Sequence, residues 1–172
     1  MLLTLLDGTT VCVRPIAPED KPLLSAGLRR LSPETAFRRF LSPKVSFSQA
    51  ELRYLTEVDG HDHIALVAVD AHDRDRLIAV ARCVRVDADT ADLAIVVGDP
   101  WQGMGLGRRL ARLLAERAAH EGITRFAGTT LADNRPAFRL MRGVGGFEHD
   151  ELSHGVRDLV VRLPRLGASR AA

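Results

Sequence analysis

The chain has 172 residues, of which 46% are hydrophobic and 27% charged, with a formal net charge of only +2. That is enough chain for one domain with a real core and an ordinary soluble composition. The near-balance of charge gives no argument for nucleic acid or a membrane surface as a partner. No apolar run is long enough to span a bilayer. The opening stretch, Met1 to Asp7, lacks the basic lead and small-residue cleavage site of a secretion signal and reads as a first strand. Cys12 and Cys83 lie in strand-like runs, which predicts buried free thiols and a reducing, cytoplasmic setting rather than a disulfide framework.

Thr10 to Pro15 alternates as a strand, and Pro18-Glu19-Asp20 supplies a helix start. Helical segments are predicted over about Asp20 to Leu31, Pro33 to Phe40 and Ser48 to Glu57. Ser32-Pro33-Glu34 places proline at an opening position, and Ser48-Gln49-Ala50-Glu51 is a capping box. Ile64 to Val69 and Leu77 to Val86 are β-branched runs joined by a hairpin-like, polar connection, and Ala91 to Val97 completes the meander. A helix with Leu106, Leu110, Leu113, Leu114 and Ala118 on one stripe ends at Gly122. A strand follows over Thr124 to Thr130, then a short helix opened by Asn134, and Gly146-Phe147 enters another strand. The chain is expected to turn over Asp150 to Gly155 and return as Val156 to Leu163, leaving 164–172 as a flexible tail. Helices first, then an antiparallel meander, then a crossover helix predicts one α+β domain over 1–163, built on a mixed, mostly antiparallel sheet flanked by helices.

The connection from Ala91–Val97 into the next helix reads Asp99-Pro-Trp-Gln-Gly-Met-Gly-Leu-Gly-Arg-Arg-Leu110. Strand, glycine-rich turn and helix aim backbone N–H groups and a positive helix end at one anion. A nucleotide-triphosphatase loop needs Gly-Lys-Ser/Thr, but Gly107-Arg108-Arg109 stands there. A dinucleotide loop needs Gly-x-Gly-x-x-Gly; Gly103 and Gly105 begin it, yet Arg108 holds the third position. Gln102, Gly105 and Gly107 fit a third pattern, Gln/Arg-x-x-Gly-x-Gly/Ala.

That third pattern resembles the acetyl-CoA signature of the GNAT (Gcn5-related) N-acetyltransferases. The strand before it, the helix after it, Asn134 and Gly146-Phe147 fit the same family. The first half carries Val13-Arg14-Pro15-Ile16, Arg30-Leu31-Ser32-Pro33-Glu34, Arg39-Phe40 with Ser42-Pro43-Lys44, and Tyr54-Leu55-Thr56-Glu57-Val58-Asp59. These look like the catalytic domain of bacterial Pat-type protein lysine acetyltransferases, over roughly residues 8 to 163. The resemblance implies the GNAT acyl-CoA N-acyltransferase fold and transfer of an acetyl group from acetyl-CoA to an amine, in Pat-type domains a protein lysine. A small amine as acceptor and a non-catalytic acyl-CoA sensor are the alternatives. No metal, nucleic-acid or membrane partner is expected from the charge and the histidine spacing, and a homodimer is allowed.

By the same resemblance, Gln102, Gly103, Met104, Gly105, Leu106, Gly107 and Arg108 would wrap the pyrophosphate. Ile95, Val96 and Val97 would run beside the pantetheine arm, and Asn134 would hydrogen-bond the coenzyme. Asn134 reads equally as a helix cap before Arg135-Pro136. Deprotonating a lysine of pKa ~10.4 at pH 7 costs roughly 4 to 5 kcal/mol, and a carboxylate facing the amine can accept that proton, directly or through water. Where Pat-type domains carry a glutamate, this chain has Asp92, one methylene shorter, on a strand face with Ala94 and Val96. Glu57, Asp59 and His63 are reserve candidates. The position seven residues after Asn134, where many GNAT enzymes place a tyrosine acid, is Met141. An unassisted thiolate is a tolerable leaving group, since its thiol has a pKa near ~8.5. The His61-Asp62-His63 run invites a metal reading, but histidines two apart at a strand entry are more often hydrogen-bonded.

Overall fold

The computed structural model describes residues 1–164. In chain order it contains β1 (Leu2–Thr4), β2 (Thr10–Pro15), α1 (Lys21–Arg30), α2 (Pro33–Phe40), α3 (Gln49–Thr56), β3 (His63–Asp70), β4 (Leu77–Asp87) and β5 (Thr90–Val97). Then follow α4 (Leu106–His120), β6 (Arg125–Leu131), α5 (Arg135–Val144), β7 (Gly146–Ser153) and β8 (Val156–Arg162). The strands form one eight-stranded sheet in the order β1-β2-β3-β4-β5-β6-β8-β7. Every neighbouring pair is antiparallel except β5 and β6. A parallel pair needs a crossover, and α4 supplies it. The sheet is the α+β arrangement expected from the order of apolar runs. Most of the expected tail over 164–172 lies outside the described residues. Among the described residues no helix is long and apolar enough to cross a membrane.

Local chemistry sets the helix boundaries. The Ser32 hydroxyl accepts from Thr35 N–H at 3.2 Å and opens α2, while Ser48 and Glu51 form the reciprocal box that opens α3. α4 buries Leu106, Leu110, Ala111, Leu114, Ala115 and Ala118 against the sheet and turns its arginines outward. With α5 it covers one face, where Leu66, Ile78, Phe126, Leu159 and Val161 form the larger core. Helices α1 and α3 cover the other face over Ile16, Leu24, Leu52, Ala65, Val67 and Val80. Cys83 is buried in the larger core, where desolvation pushes its thiol up to about 12, and Cys12 is also unpaired.

One boundary differs from expectation. The turn predicted over Asp150 to Gly155 is instead strand as far as Ser153, and only His154 and Gly155 form the bend, with φ of 49° and 81°. Two successive left-handed residues make the tight hairpin turn whose twist matches its strands. β7 hides behind its composition because it is an edge strand, largely exposed and rich in acids, which gives no alternating signal.

The smaller core has a polar break. His63 on β3 is 8% exposed and accepts a hydrogen bond at Nε2 from Arg82 Nη1 on β4, at 3.0 Å. Because Arg82 can only donate, Nε2 carries no proton. Burial first, and then the Arg82 charge, push the His63 pKa down to about 4. The ring also rests on Tyr54, with centroids 4.9 Å apart.

Two predictions follow from this packing. A Cβ at Gly145 would overlap the Arg162 carbonyl oxygen, whereas one at Gly146 meets nothing within 4 Å. Gly145→Ala should lower unfolding stability by about 2 kcal/mol or more, and Gly146→Ala by much less, in urea titrations. For His63, the unfolded chain binds a proton below about pH 6.5 that the folded chain takes up only near 4. Stability should therefore fall as the pH drops from 6.5 to 4, and His63→Gln should flatten that part of the profile.

Candidate active site

The phosphate-loop candidate is held from two sides. After β5 a single 3₁₀ turn spans Asp99–Trp101. The Asp99 carboxylate accepts from Ser32 N–H at 2.9 Å, Ser32 Oγ at 2.7 Å and Thr35 Oγ1 at 2.7 Å. Burial opposes its ionisation, but these hydrogen bonds hold the Asp99 carboxyl below its ordinary range. Gln102 Nε2 donates to the Val97 carbonyl at 3.0 Å and to Thr35 Oγ1 at 3.1 Å. The glutamine side chain thus braces the end of β5 against the start of α2.

Beyond it, Gly103 and Gly105 have φ of 76° and 80°. A side chain at either would meet nothing within 4 Å, so what excludes one is conformation, not crowding. Gly105 is the N-cap of α4 and provides no side-chain acceptor, which leaves first-turn N–H groups pointing outward. Gly107 does a different job: a Cβ there would stand 3.2 Å from Leu140 Cδ1, so its bareness lets α5 pack close to α4. Leu106 is 1% exposed and Met104 packs on the core, so Leu106 can offer a ligand only main chain. Arg108 is exposed and runs past Gly143 of α5.

The strand before the loop is open along one edge. β5 pairs with β6 only over Thr90–Asp92 against Arg125–Ala127, and beyond Asp92 the two strands part. On the other side β5 stays paired with β4 as far as Val97. Gly98 N–H bonds to the Ile78 carbonyl on β4, at 2.8 Å, so Val97 turns its own N–H and carbonyl toward the open edge. The carbonyl there is the one Gln102 reaches. Alternation carries the same orientation to Ile95, while the Val96 side chain joins the smaller core and the Ile95 and Val97 side chains join the larger.

Asp92 stands where the strands begin to part. It is exposed, with no hydrogen bond or ion pair among the described residues, on the face that also carries Ala94 and Val96. The reserve candidates are engaged elsewhere. Glu57 pairs with Lys21 at 2.5 Å, Asp59 caps the N–H groups of His61, Asp62 and His63, and His63 is buried against Arg82. The two histidines of the suspected metal run also diverge, since His61 Nδ1 meets Glu121 at 2.5 Å. Asn134 caps α5, its Oδ1 accepting from Ala137 N–H at 3.2 Å. Met141 is buried in the larger core.

Two cavities border this edge. A small one of about 60 Å³ lies in the gap between β5 and β6, lined by Leu93, Ile95, Gly128, Thr130, Leu140 and Met141 among others. The Thr130 hydroxyl is buried there without a partner among the described residues. A larger one of about 340 Å³ lies on the Asp92 face, between α1–α3 and β4–β5. Ala94 and Val96 form part of its floor, and Arg39, Phe40, Arg82 and Trp101 line it. Thr130, Arg39 and Arg82 escaped sequence reasoning. The one available signal was Arg82 itself, a charge at the same parity as Val80 and Val84 and flanked by the apolar residues 77–81 and Cys83-Val84.

Residues 32–145 match the Acetyltransferase (GNAT) family. Acetyltransferase Pat of Mycolicibacterium smegmatis is 36% identical over 140 residues, which is 80% of this chain but 41% of that protein's length. Acetyltransferase PA5475 of Pseudomonas aeruginosa is 31% identical over 141 residues, covering 81% of this chain and 76% of that protein. The crystal structure of the GNAT domain of S. lividans PAT is similar with a TM-score of 0.84 at 28% identity, covering 95% of this chain and 96% of that one. With the parted strands and the glycine-rich turn that joins β5 to α4, these likenesses make the chain a member of the GNAT acetyltransferase family, related to the Pat-type acetyltransferases.

Proposed function

We propose that this acetyltransferase binds acetyl-CoA along the open edge of β5 and transfers the acetyl group to an amine deprotonated by Asp92. The observation that carries the reading is the main chain of β5: from Leu93 to Val97 it lacks a strand partner on one side, between an exposed carboxylate and an uncapped helix start. The GNAT family uses acetyl-CoA and an amine acceptor. The pyrophosphate would rest on N–H groups of the Gly103–Arg108 turn, where the glycines permit close approach. The pantetheine amides would pair with the edge groups of Ile95 and Val97 as an added strand. The Val97 N–H, aimed into the gap, would hold the thioester carbonyl and its developing oxyanion. Asp92 would take the ammonium proton directly or through one water, which offsets the shorter reach of aspartate. The neutral amine then attacks the carbonyl carbon, the C–N bond forms, the C–S bond breaks, the electron pair leaves on sulfur and the nitrogen gives its second proton to water. Met141 offers no proton to that sulfur. Asn134 could hold the coenzyme through its Nδ2 while its Oδ1 remains the cap.

The resemblance to Pat-type domains supports a protein lysine as acceptor. The cavity beside Ala94 and Val96 favours a second reading, a free small amine, because it has room for one between helices α1–α3 and the sheet on the Asp92 face.

Asp92→Asn should cut kcat at least a hundredfold while the Kd for acetyl-CoA, measured calorimetrically, stays within twofold. An unchanged kcat removes Asp92 from the chemistry. Gly105→Val should do the reverse. It forces a β-branched residue to φ near 80° at the helix start, and acetyl-CoA affinity should fall by tenfold or more in the same titration.

A further inference from the structure

The larger cavity holds an imbalance of charge that the fold itself does not explain. Arg82 is 5% exposed, and its Nη1 donates to the Leu55 carbonyl at 3.1 Å and to His63 Nε2 at 3.0 Å. Both acceptors are neutral. Arg39, reaching in from α2, has a face contact with the Phe40 ring, 4.8 Å from its centroid, and no hydrogen bond or ion pair among the described residues. The two guanidinium groups repel each other enough to help lower the Arg82 pKa to about 10, behind the larger effect of burial. Burial alone lowers that of Arg39. Arg30 and Arg76 stand in the same wall, against the single carboxylate of Asp73. The remaining lining is apolar, from Leu24 and Leu28 on α1 to Phe47 and Trp101. Removing a guanidinium from water without an anion beside it is unfavourable, and the deficit is met when an anion arrives.

The register sets the scale of the distance between that anion and Asp92. Arg82 is the cross-strand partner of Ala94, and Ala94 lies two residues from Asp92 on the same face. Two residues of strand span about 7 Å. An amine at Asp92 and an anion at Arg82 are therefore several bonds apart. Planar, forked guanidinium groups match a carboxylate.

We propose that the cavity between α1–α3 and β4–β5 is the acceptor pocket, where Arg39 and Arg82 bind a carboxylate, and that the acceptor is a small ω-amino carboxylate. This rests on the acetyltransferase reading above and names its substrate class. The amine end meets the acetyl thioester at the β5 edge, the carboxylate end lies under α2, and the methylene chain crosses Ala94 and Val96. The acetyl group passes to nitrogen, coenzyme A leaves as thiolate, one ammonium proton passes to Asp92 and the second nitrogen proton passes to water.

The experiment compares 6-aminohexanoate with its neutral isostere 6-aminohexanamide, and with a peptide whose only amine is an internal lysine, under saturating acetyl-CoA. The acid should have a kcat/KM at least tenfold above the other two, mainly through a lower KM. In Arg39→Gln the acid-to-amide ratio should collapse toward one. Equal use of acid and amide by the unaltered protein, preference for the internal lysine, or an unchanged ratio in Arg39→Gln would overturn the proposal. Arg82→Lys, which keeps the charge but not the fork, should give an intermediate ratio and, with Arg39→Gln, guards against one variant failing to fold. Calorimetry of 6-aminohexanoate on the protein loaded with coenzyme A separates this pocket from the chemistry. Binding of the acid but not the amide, lost in Arg39→Gln, supports the pocket even where no amine is acetylated; no binding of the acid overturns it.

Discussion

The parting of β5 from β6 is the constraint on which the rest depends. A strand in the middle of a sheet normally spends both its edges on ladders, and a buried backbone group left without a partner costs about 1 to 3 kcal/mol. Here β5 is paired over three residues with β6 and then released, while its bond to β4 continues to Val97. The gap is kept narrow by Leu93 and Ile95 from one side and Leu140 and Met141 from the other, with the Thr130 hydroxyl as a polar group inside it. The fold settles one exposed carbonyl, that of Val97, with the Gln102 side chain. The remaining edge groups face a slot that an extended, amide-bearing chain can satisfy. The single parallel pair follows from the same arrangement, because α4 must cross over before β6 can begin, and that crossover carries the glycine-rich turn to the end of the opened strand.

The two faces of the sheet do different work. The α4–α5 face is continuous and apolar, and it fixes the turn and the helix start by packing. The α1–α3 face carries a smaller core, with buried His63 and Arg82 and a cavity. Both meet at α2. Its first turn is tied to the glycine-rich turn through Asp99, Ser32, Thr35 and Gln102, and its last turn carries Arg39 and Phe40 into the cavity wall. One short helix therefore links the glycine-rich turn to the wall of the larger cavity. A displacement of the loop on binding a diphosphate would be passed to α2 by three hydrogen bonds on one carboxylate.

How much of this could be read from residues alone follows from the range of each interaction. Capping is local, so Ser32, Ser48 and Asn134 were legible as helix starts. The period of apolar residues gave α4 its buried stripe and gave β5 its two faces, with Asp92 beside Ala94 and Val96. The edge strand β7 was misjudged because its partner lies on one side only and its side chains face water, so no period marks it. Gln102 carries a contact that the motif does not announce: its side chain donates to Val97 and Thr35 and so joins the end of β5 to α2. Arg39 and Arg82 are 43 positions apart in the sequence, and only the packing of α2 over β4 brings them to one cavity. Long-range convergence of that kind leaves no local trace.

Arg82 shows why the cavity is better understood as a binding feature than as a structural strut. Its contact with the Leu55 carbonyl satisfies the end of α3, and its contact with His63 satisfies a ring nitrogen, but a neutral donor would serve both. A guanidinium brings in addition a full charge that neither partner answers. Its neighbour in charge, Arg39, is equally unanswered, so the fold carries two like charges in one partly dry space. Like charges facing each other weaken a folded state, and proteins remove them unless something else depends on their presence. His63 is kept neutral by burial first and then by the Arg82 charge, which spares the site a third positive charge. A ligand carboxylate between Arg39 and Arg82 turns that mutual repulsion into two attractions at once. The residues that make the empty fold less stable are then the same ones that make it selective.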